Sequence, residues 1–142
     1  MPLNNFGGIL AFAAELEQAD ADFYRALADN PALGDLAPVC ARFAADEAKN
    51  LEAVLRTRRE NVTEMILEPV RDFSRAPFQA VRPAPAGLDR AAALAAAREI
   101  EAKAFNYFTQ AAAKLAAMPE VSRALKLLAK KRGKHQEELA GL

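Results

Sequence analysis

Glu17, Glu47, Glu101 and Arg132 occupy the same place on four segments of this 142-residue chain, the middle of an apolar helical face. Stepping about 100° per residue, Leu94, Ala97, Ala104, Phe105, Phe108, Ala112 and Leu115 point within roughly 60° of one direction, and Glu101 points with them. Glu17 is framed in the same way by Phe6, Leu10, Ala13, Ala14, Ala21, Tyr24 and Ala28. Glu47 lies among Leu36, Cys40, Phe43, Ala44, Leu51 and Val54, and Arg132 among Val121, Leu125, Leu128, Ala129, Gln136 and Leu139. Asp20, Asn50 and His135 each follow one of these centres by three residues, which puts them about 60° to one side. A charge in a helical core is costly unless it finds a partner or a metal. Carboxylates, an imidazole and a guanidinium converging at one level can hold a cation, hydrogen-bond one another, or both.

Four helices must bring these residues together. The first runs from near Asn4 or Asn5 to about Asp29, where Asn30-Pro31 and Gly34-Asp35 break the pattern. The second runs from about Asp35 into the low sixties, with Pro38 tolerated in its first turn. So short a connection predicts antiparallel packing. A third helix spans about Leu88 to Ala117, and a fourth starts at Pro119-Glu120 with a proline near its first position and an acid in its first turn. Between the second and third, residues 65–88 carry Pro69, Pro77, Pro83, Pro85 and Gly87, yet also Met65, Ile66, Leu67, Val70, Phe73 and Phe78. At about 3.3 Å per residue that stretch can cross the whole bundle, which lets the second and third helices run parallel. The first helix has a second apolar face, Phe12, Leu16, Ala19, Phe23 and Leu27, which points to a homodimer contact.

Composition narrows the function classes. The chain is rich in Ala, Leu, Glu, Lys and Arg and has no Trp, which favours an all-α single domain over residues 1–142. Nineteen basic residues balance nineteen acidic ones, so neither nucleic acid nor an anionic membrane is expected as the main partner. The basic run Lys126, Lys130, Lys131, Arg132 and Lys134 reads mainly as a solvated helix face. No apolar run has the length of a membrane span, and Met1–Gly8 lacks the pattern of a secretory signal. The single Cys40, read as a small core residue, suits a reducing, cytoplasmic setting. Tyr24, Tyr107, Phe23 and Phe108 read as packing residues.

The two halves repeat. Glu15-Leu16-Glu17 with Phe23-Tyr24 returns as Glu99-Ile100-Glu101 with Tyr107-Phe108 at an offset of 84, and Glu47 and Asn50 map onto Arg132 and His135 at an offset of 85. Two such hairpins about a pseudo-two-fold bring the four inner faces together. Over nearly its whole length the chain resembles the ferritin-like superfamily, in particular rubrerythrin-type diiron domains. The resemblance implies a four-helix bundle of two hairpins with a long crossover between helices 2 and 3. It also implies a site in which each half supplies a Glu from its first helix and a Glu-x-x-His from its second. Residues i and i+3 share a helix face, so the carboxylate can bridge two ions while the imidazole binds one. Glu17 and Glu101 fit the terminal glutamates, Glu47 the first Glu-x-x-His glutamate and His135 the second histidine. Asn50 stands where the first histidine belongs and Arg132 where the second glutamate belongs, so four of the six ligands remain. The four-cysteine metal module of full rubrerythrins has no counterpart in a chain with one cysteine.

Charge sets the expected occupancy. Three glutamates and Arg132 leave minus two, which one divalent ion neutralises and two would overshoot. Without metal, neutrality needs a protonated His135 and one carboxyl that keeps its proton. The expectation is a degenerate centre that holds one Fe, Mn or Zn ion or none through Glu17, Glu47, Glu101 and His135. Asp20, Asn50 and Arg132 would line it, with Asp20 available as an acceptor for Arg132 or as a weak ligand. A link to iron or oxidative-stress physiology follows from the resemblance alone. The alternatives are an active diiron oxidase or peroxidase, which needs Arg132 to swing out, and a metal-free interaction module. Substrate, redox partner and catalytic residues are not legible.

Overall fold

The computed structural model describes residues 3–61 and 70–142. Four α-helices account for most of them: α1 (Phe6–Ala28), α2 (Leu36–Asn61), α3 (Arg90–Lys114) and α4 (Pro119–Ala140). Among the described residues there is no strand. Local chemistry sets the ends. The Asn5 side chain accepts from Gly8 N at 2.7 Å, and Asp89 caps α3 by accepting from Ala92 N at 2.8 Å. These caps start α1 and α3 one or two residues later than apolar periodicity alone indicates. Helix α3 ends at Lys114, not Ala117, and a tight turn leads into α4 with Pro119 in its first position. Between α1 and α2, a single 3₁₀ turn (Pro31–Leu33) ends on Gly34. Its φ of +56° with ψ of −123° is a conformation that a side chain would strain.

The bundle is two antiparallel hairpins, α1 on α2 and α3 on α4, with α1 facing α3 and α2 facing α4. Two apolar clusters define its ends. One joins the start of α1 (Phe6, Ile9, Leu10) to the end of α2 (Val54), the end of α3 (Ala111, Ala112) and the start of α4 (Val121, Leu125). The other joins the end of α1 (Tyr24, Leu27) to the start of α2 (Leu36, Cys40), the start of α3 (Ala93, Ala97) and the end of α4 (Leu139). Helices α2 and α3 therefore run in the same direction, as the long connection predicts.

That connection is a strap. Met65, Ile66, Leu67 and Pro69 lie outside the described residues, but Val70–Asp89 can be followed from one end of the bundle to the other. Val70 N donates to Asn4 O at 2.8 Å and Lys114 Nζ to Arg71 O at 2.7 Å. Phe73 and Phe78 pack on Tyr107, with ring centroids 5.6 and 5.3 Å away. The Tyr107 hydroxyl donates to Ile9 O at 2.5 Å. Arg75 lies 4.9 Å over the Phe12 ring and pairs with Glu15, and Asn30 Nδ2 reaches Leu88 O at the far end. Phe12, Leu16, Phe23 and Leu27, on the second face of α1, are buried within the single chain, and Ala19 between them is half-buried. Among the described residues no helix is long and apolar enough to cross a membrane.

Candidate metal centre

Glu17, Glu47, Glu101 and Arg132 are all fully buried, one from each helix, between the two apolar clusters. Each inward helical stripe carries its charged residue to the same depth. Asp20, Asn50 and His135 are buried beside them. Every site residue expected from the sequence is thus brought together.

The arginine divides the site in two. Its Nη1 donates to Glu101 Oε2 at 2.6 Å and its Nη2 to Asp20 Oδ2 at 2.8 Å. Its Nε donates to Glu17 Oε1 at 3.3 Å, and Nη2 lies 2.9 Å from Glu17 Oε2. Glu47 Oε1 is 3.3 Å from Nη1. Glu17 therefore faces the guanidinium, together with Asp20, which accepts from Arg132, the first of the two roles open to it from the sequence. Asp20 is clamped from outside as well: Arg82 of the strap donates to its Oδ1 from Nε at 2.9 Å and from Nη2 at 2.7 Å.

The other half belongs to His135. Its Nδ1 lies 2.7 Å from Glu101 Oε1 and 3.3 Å from Glu47 Oε1, and its Nε2 lies 2.9 Å from Asp46 Oδ2. The ring stacks on Phe43 with centroids 3.7 Å apart and planes 10° from parallel. The Tyr24 hydroxyl donates to Glu101 Oε2 at 2.7 Å, so this tyrosine is part of the site as well as of the packing. Tyr24, Asp46 and Arg82 were not expected there. Only Tyr24 carried a signal, a polar tip on the inner face that burial obliges to find a partner.

Burial and neighbouring charge shift the protons. Burial, with the charges of Glu47 and Asp20 beside it, raises Glu17 to about 8 against the pull of Arg132. Burial and the charge of Glu101 raise Glu47 to about 7. Asp20 is raised by burial in spite of its two arginines. Burial also acts on Glu101, but Arg132, His135 and Tyr24 outweigh it and hold this carboxyl below its ordinary value. For His135, burial is outweighed by the hydrogen bond to Glu101 and by the nearby carboxylates of Glu101 and Glu47, which lift it to about 10. Cys40 stands apart as a buried thiol, pushed up to about 11 by its surroundings.

Glu47, Glu101 and His135 could hold a metal ion: one donor atom from each lies within 4.8 Å of the others. The donor set fits. Two carboxylates and an imidazole suit a borderline divalent ion. Two donors each about 2.1 Å from one ion are about 3.4 Å apart in a tetrahedral shell; Glu47 Oε1 and His135 Nδ1 are 3.3 Å apart, and Glu101 Oε1, hydrogen-bonded to Nδ1 at 2.7 Å, would draw back as an ion replaced that proton. Both Glu47 oxygens are buried without a hydrogen bond, a state that costs about 1–3 kcal/mol for each unmade bond. Asp46 on Nε2 supplies the outer carboxylate that orients an imidazole whose other nitrogen ligates.

Fold and site together define an all-α, four-helix protein with a buried carboxylate and histidine group able to hold a metal ion. No family model, curated protein or solved structure matches the chain.

Proposed function

We propose that this chain is a rubrerythrin-like member of the ferritin-like class whose centre has been reduced to one divalent ion, bound by Glu47, Glu101 and His135. The repeat of Glu17 onto Glu101 and the parallel course of α2 and α3 support the kinship. On this reading the Arg132 guanidinium takes the place of the second ion and holds Glu17 and Asp20, leaving Glu17 outside the ligand set. Iron is the ion the kinship favours, with manganese and zinc as competitors, and a role in iron or oxidative-stress physiology follows from the kinship. Such an ion would supply a Lewis acid and, for iron or manganese, a one-electron couple. The chain's own residues orient and desolvate the donors. Asp46 and Phe43 fix the imidazole plane, Tyr24 and Arg132 hold Glu101 Oε2, and Arg82 closes the strap side over Asp20.

The observation that carries this reading is Glu47. Every other charged group at this level has a hydrogen bond, whereas Glu47 Oε1 has only 3.3 Å charge contacts with Arg132 Nη1 and His135 Nδ1 and its Oε2 has no hydrogen-bond partner, which leaves this buried carboxylate available to an ion. Metal content after chelator-free purification, and after reconstitution with Fe(II), Mn(II) or Zn(II), tests it. One ion per chain is expected, lost in both Glu47→Ala and His135→Ala. Two irons with an oxo-bridge absorption band would replace this reading with a diiron oxidase. No metal after reconstitution would leave a metal-free polar network that fixes bundle register.

A further inference from the structure

A cleft of about 410 Å³ opens between α2 and α4 directly outside His135. Its rim carries Arg42, Lys49, Lys131 and Lys134, and its acids are Asp46 and Glu138. The acids are already engaged: Glu138 takes the fork of Arg42, and Asp46 faces His135 Nε2. Among the described residues no ion pair engages Lys49, Lys131 or Lys134, so three exposed lysines border one concavity with no carboxylate paired to them. Asn50 adds an independent observation. It lines the same cleft, is only 1% exposed, and neither its Nδ2 nor its Oδ1 has a hydrogen-bond partner. A buried amide of this kind is expensive to leave unpaired.

We propose that this cleft binds the phosphate group of a small phosphorylated molecule, with Lys49, Lys131 and Lys134 around the oxyanion and Asn50 Nδ2 donating from the floor. Compact ammonium charges suit a tetrahedral phosphate. The planar guanidinium that would clamp a carboxylate bidentately is Arg42, and it is occupied. The volume falls in the range of small-molecule sites, about 300–1,000 Å³, and exceeds what inorganic phosphate alone would fill. A polyanion such as nucleic acid is disfavoured by a chain of zero formal net charge. The proposal stands apart from the metal reading, because the cleft, its lysines and Asn50 need no ion.

The test is an NMR titration of the full chain, freed of metal by chelator, with inorganic phosphate and with ribose 5-phosphate. Saturable shifts are expected at the Asn50 side-chain amide and at the Lys131 and Lys134 backbone amides with both anions. They should be at least tenfold weaker in Lys131→Ala/Lys134→Ala and unchanged in Lys130→Ala, whose lysine is outside the cleft. Tighter binding of ribose 5-phosphate would place the organic portion in the remaining volume; equal binding would show that the phosphate group alone is read. Absence of saturation by about 20 mM, a range already weaker than ordinary specific binding, would overturn the proposal. So would equal shifts with chloride at matched ionic strength, equal weakening in Lys130→Ala, or gluconate, a carboxylate, binding as tightly as either phosphate.

Discussion

On the proposed one-ion reading, metal binding at Glu47, Glu101 and His135 releases protons, and their number follows from where these donors titrate. His135 Nδ1 faces two carboxylates and keeps its proton up to about pH 10, while Glu47 keeps its own up to about pH 7. An ion needs both donors bare. Below about pH 7 two protons leave for each ion bound; between about 7 and 10 only the imidazole proton does. From about pH 8 down to about pH 6 the histidine contributes two decades of affinity and Glu47 one more. Binding should therefore weaken about a thousandfold, or about 4 kcal/mol. Zinc competition against a chromophoric chelator gives the affinities, and calorimetry in buffers of different ionisation enthalpy counts the protons. In Glu47→Gln the same interval should change affinity only about a hundredfold, because one titrating donor is gone. A change below about tenfold in the parent, or calorimetry showing no proton release near pH 6, would refute the assignment of these donors.

Three further outcomes follow. The metal-free protein should lose stability as pH rises: Glu17, Glu47 and His135 sit at about 8, 7 and 10 against ordinary values of 4.5, 4.5 and 6.5, so the folded state binds the extra protons. In chelator, Tm should be lower at about pH 9 than at about pH 6, and saturating zinc should shrink or reverse the difference; an equal or higher Tm at the alkaline pH without metal would contradict it. The double change Arg132→Glu with Asn50→His restores a six-ligand set and should raise iron stoichiometry above the parent's, measured by elemental analysis after reconstitution; no increase would show that those two positions are misassigned. Gly133 lies inside α4, where a methyl group would meet the Phe105 ring at 3.4 and 3.6 Å, ordinary contact. Gly133→Ala should therefore stabilise the chain by about 0.5–1 kcal/mol in urea melts.

The periodicity of four helices was enough to find the centre because one inward stripe determines what lies at its middle. Arg132 shows this best: it belongs to a basic run that reads as solvated, yet the spacing of Leu125, Leu128, Ala129 and Leu139 turns it inward, and it is fully buried. Its neighbours Lys131 and Lys134 stay on the exposed side. Asp20 as an acceptor for Arg132 was legible for the same reason. Arg82 was not, because it comes from an irregular strap 62 residues from Asp20 in sequence and no period marks its direction. Asp46 escaped notice because it stands about 100° from Glu47, off the inner face, and meets His135 only through the way α2 and α4 pack. The second face of α1 is a related case. An apolar stripe states that it will be covered without stating by what, and here Arg75 and neighbouring strap residues cover it.

The arginine also limits what the site can hold. A second ion would need donors on the Glu17 side, where both Glu17 oxygens, Asp20 Oδ2 and Glu101 Oε2 already lie 2.6–3.3 Å from guanidinium nitrogens. To free them, Arg132 would have to leave a fully buried position and take its charge out between α4 and the helices packed on it. Removing one partner from such a network costs about 3–5 kcal/mol, and the four carboxylates around it hold its proton far above the ordinary guanidinium range. His135 is under no such constraint: the proton on Nδ1 can be exchanged for an ion while Nε2 keeps Asp46 and the ring keeps Phe43. One half of the centre is thus closed by a permanent cation and the other by an exchangeable one, and this asymmetry is the physical content of the one-ion proposal.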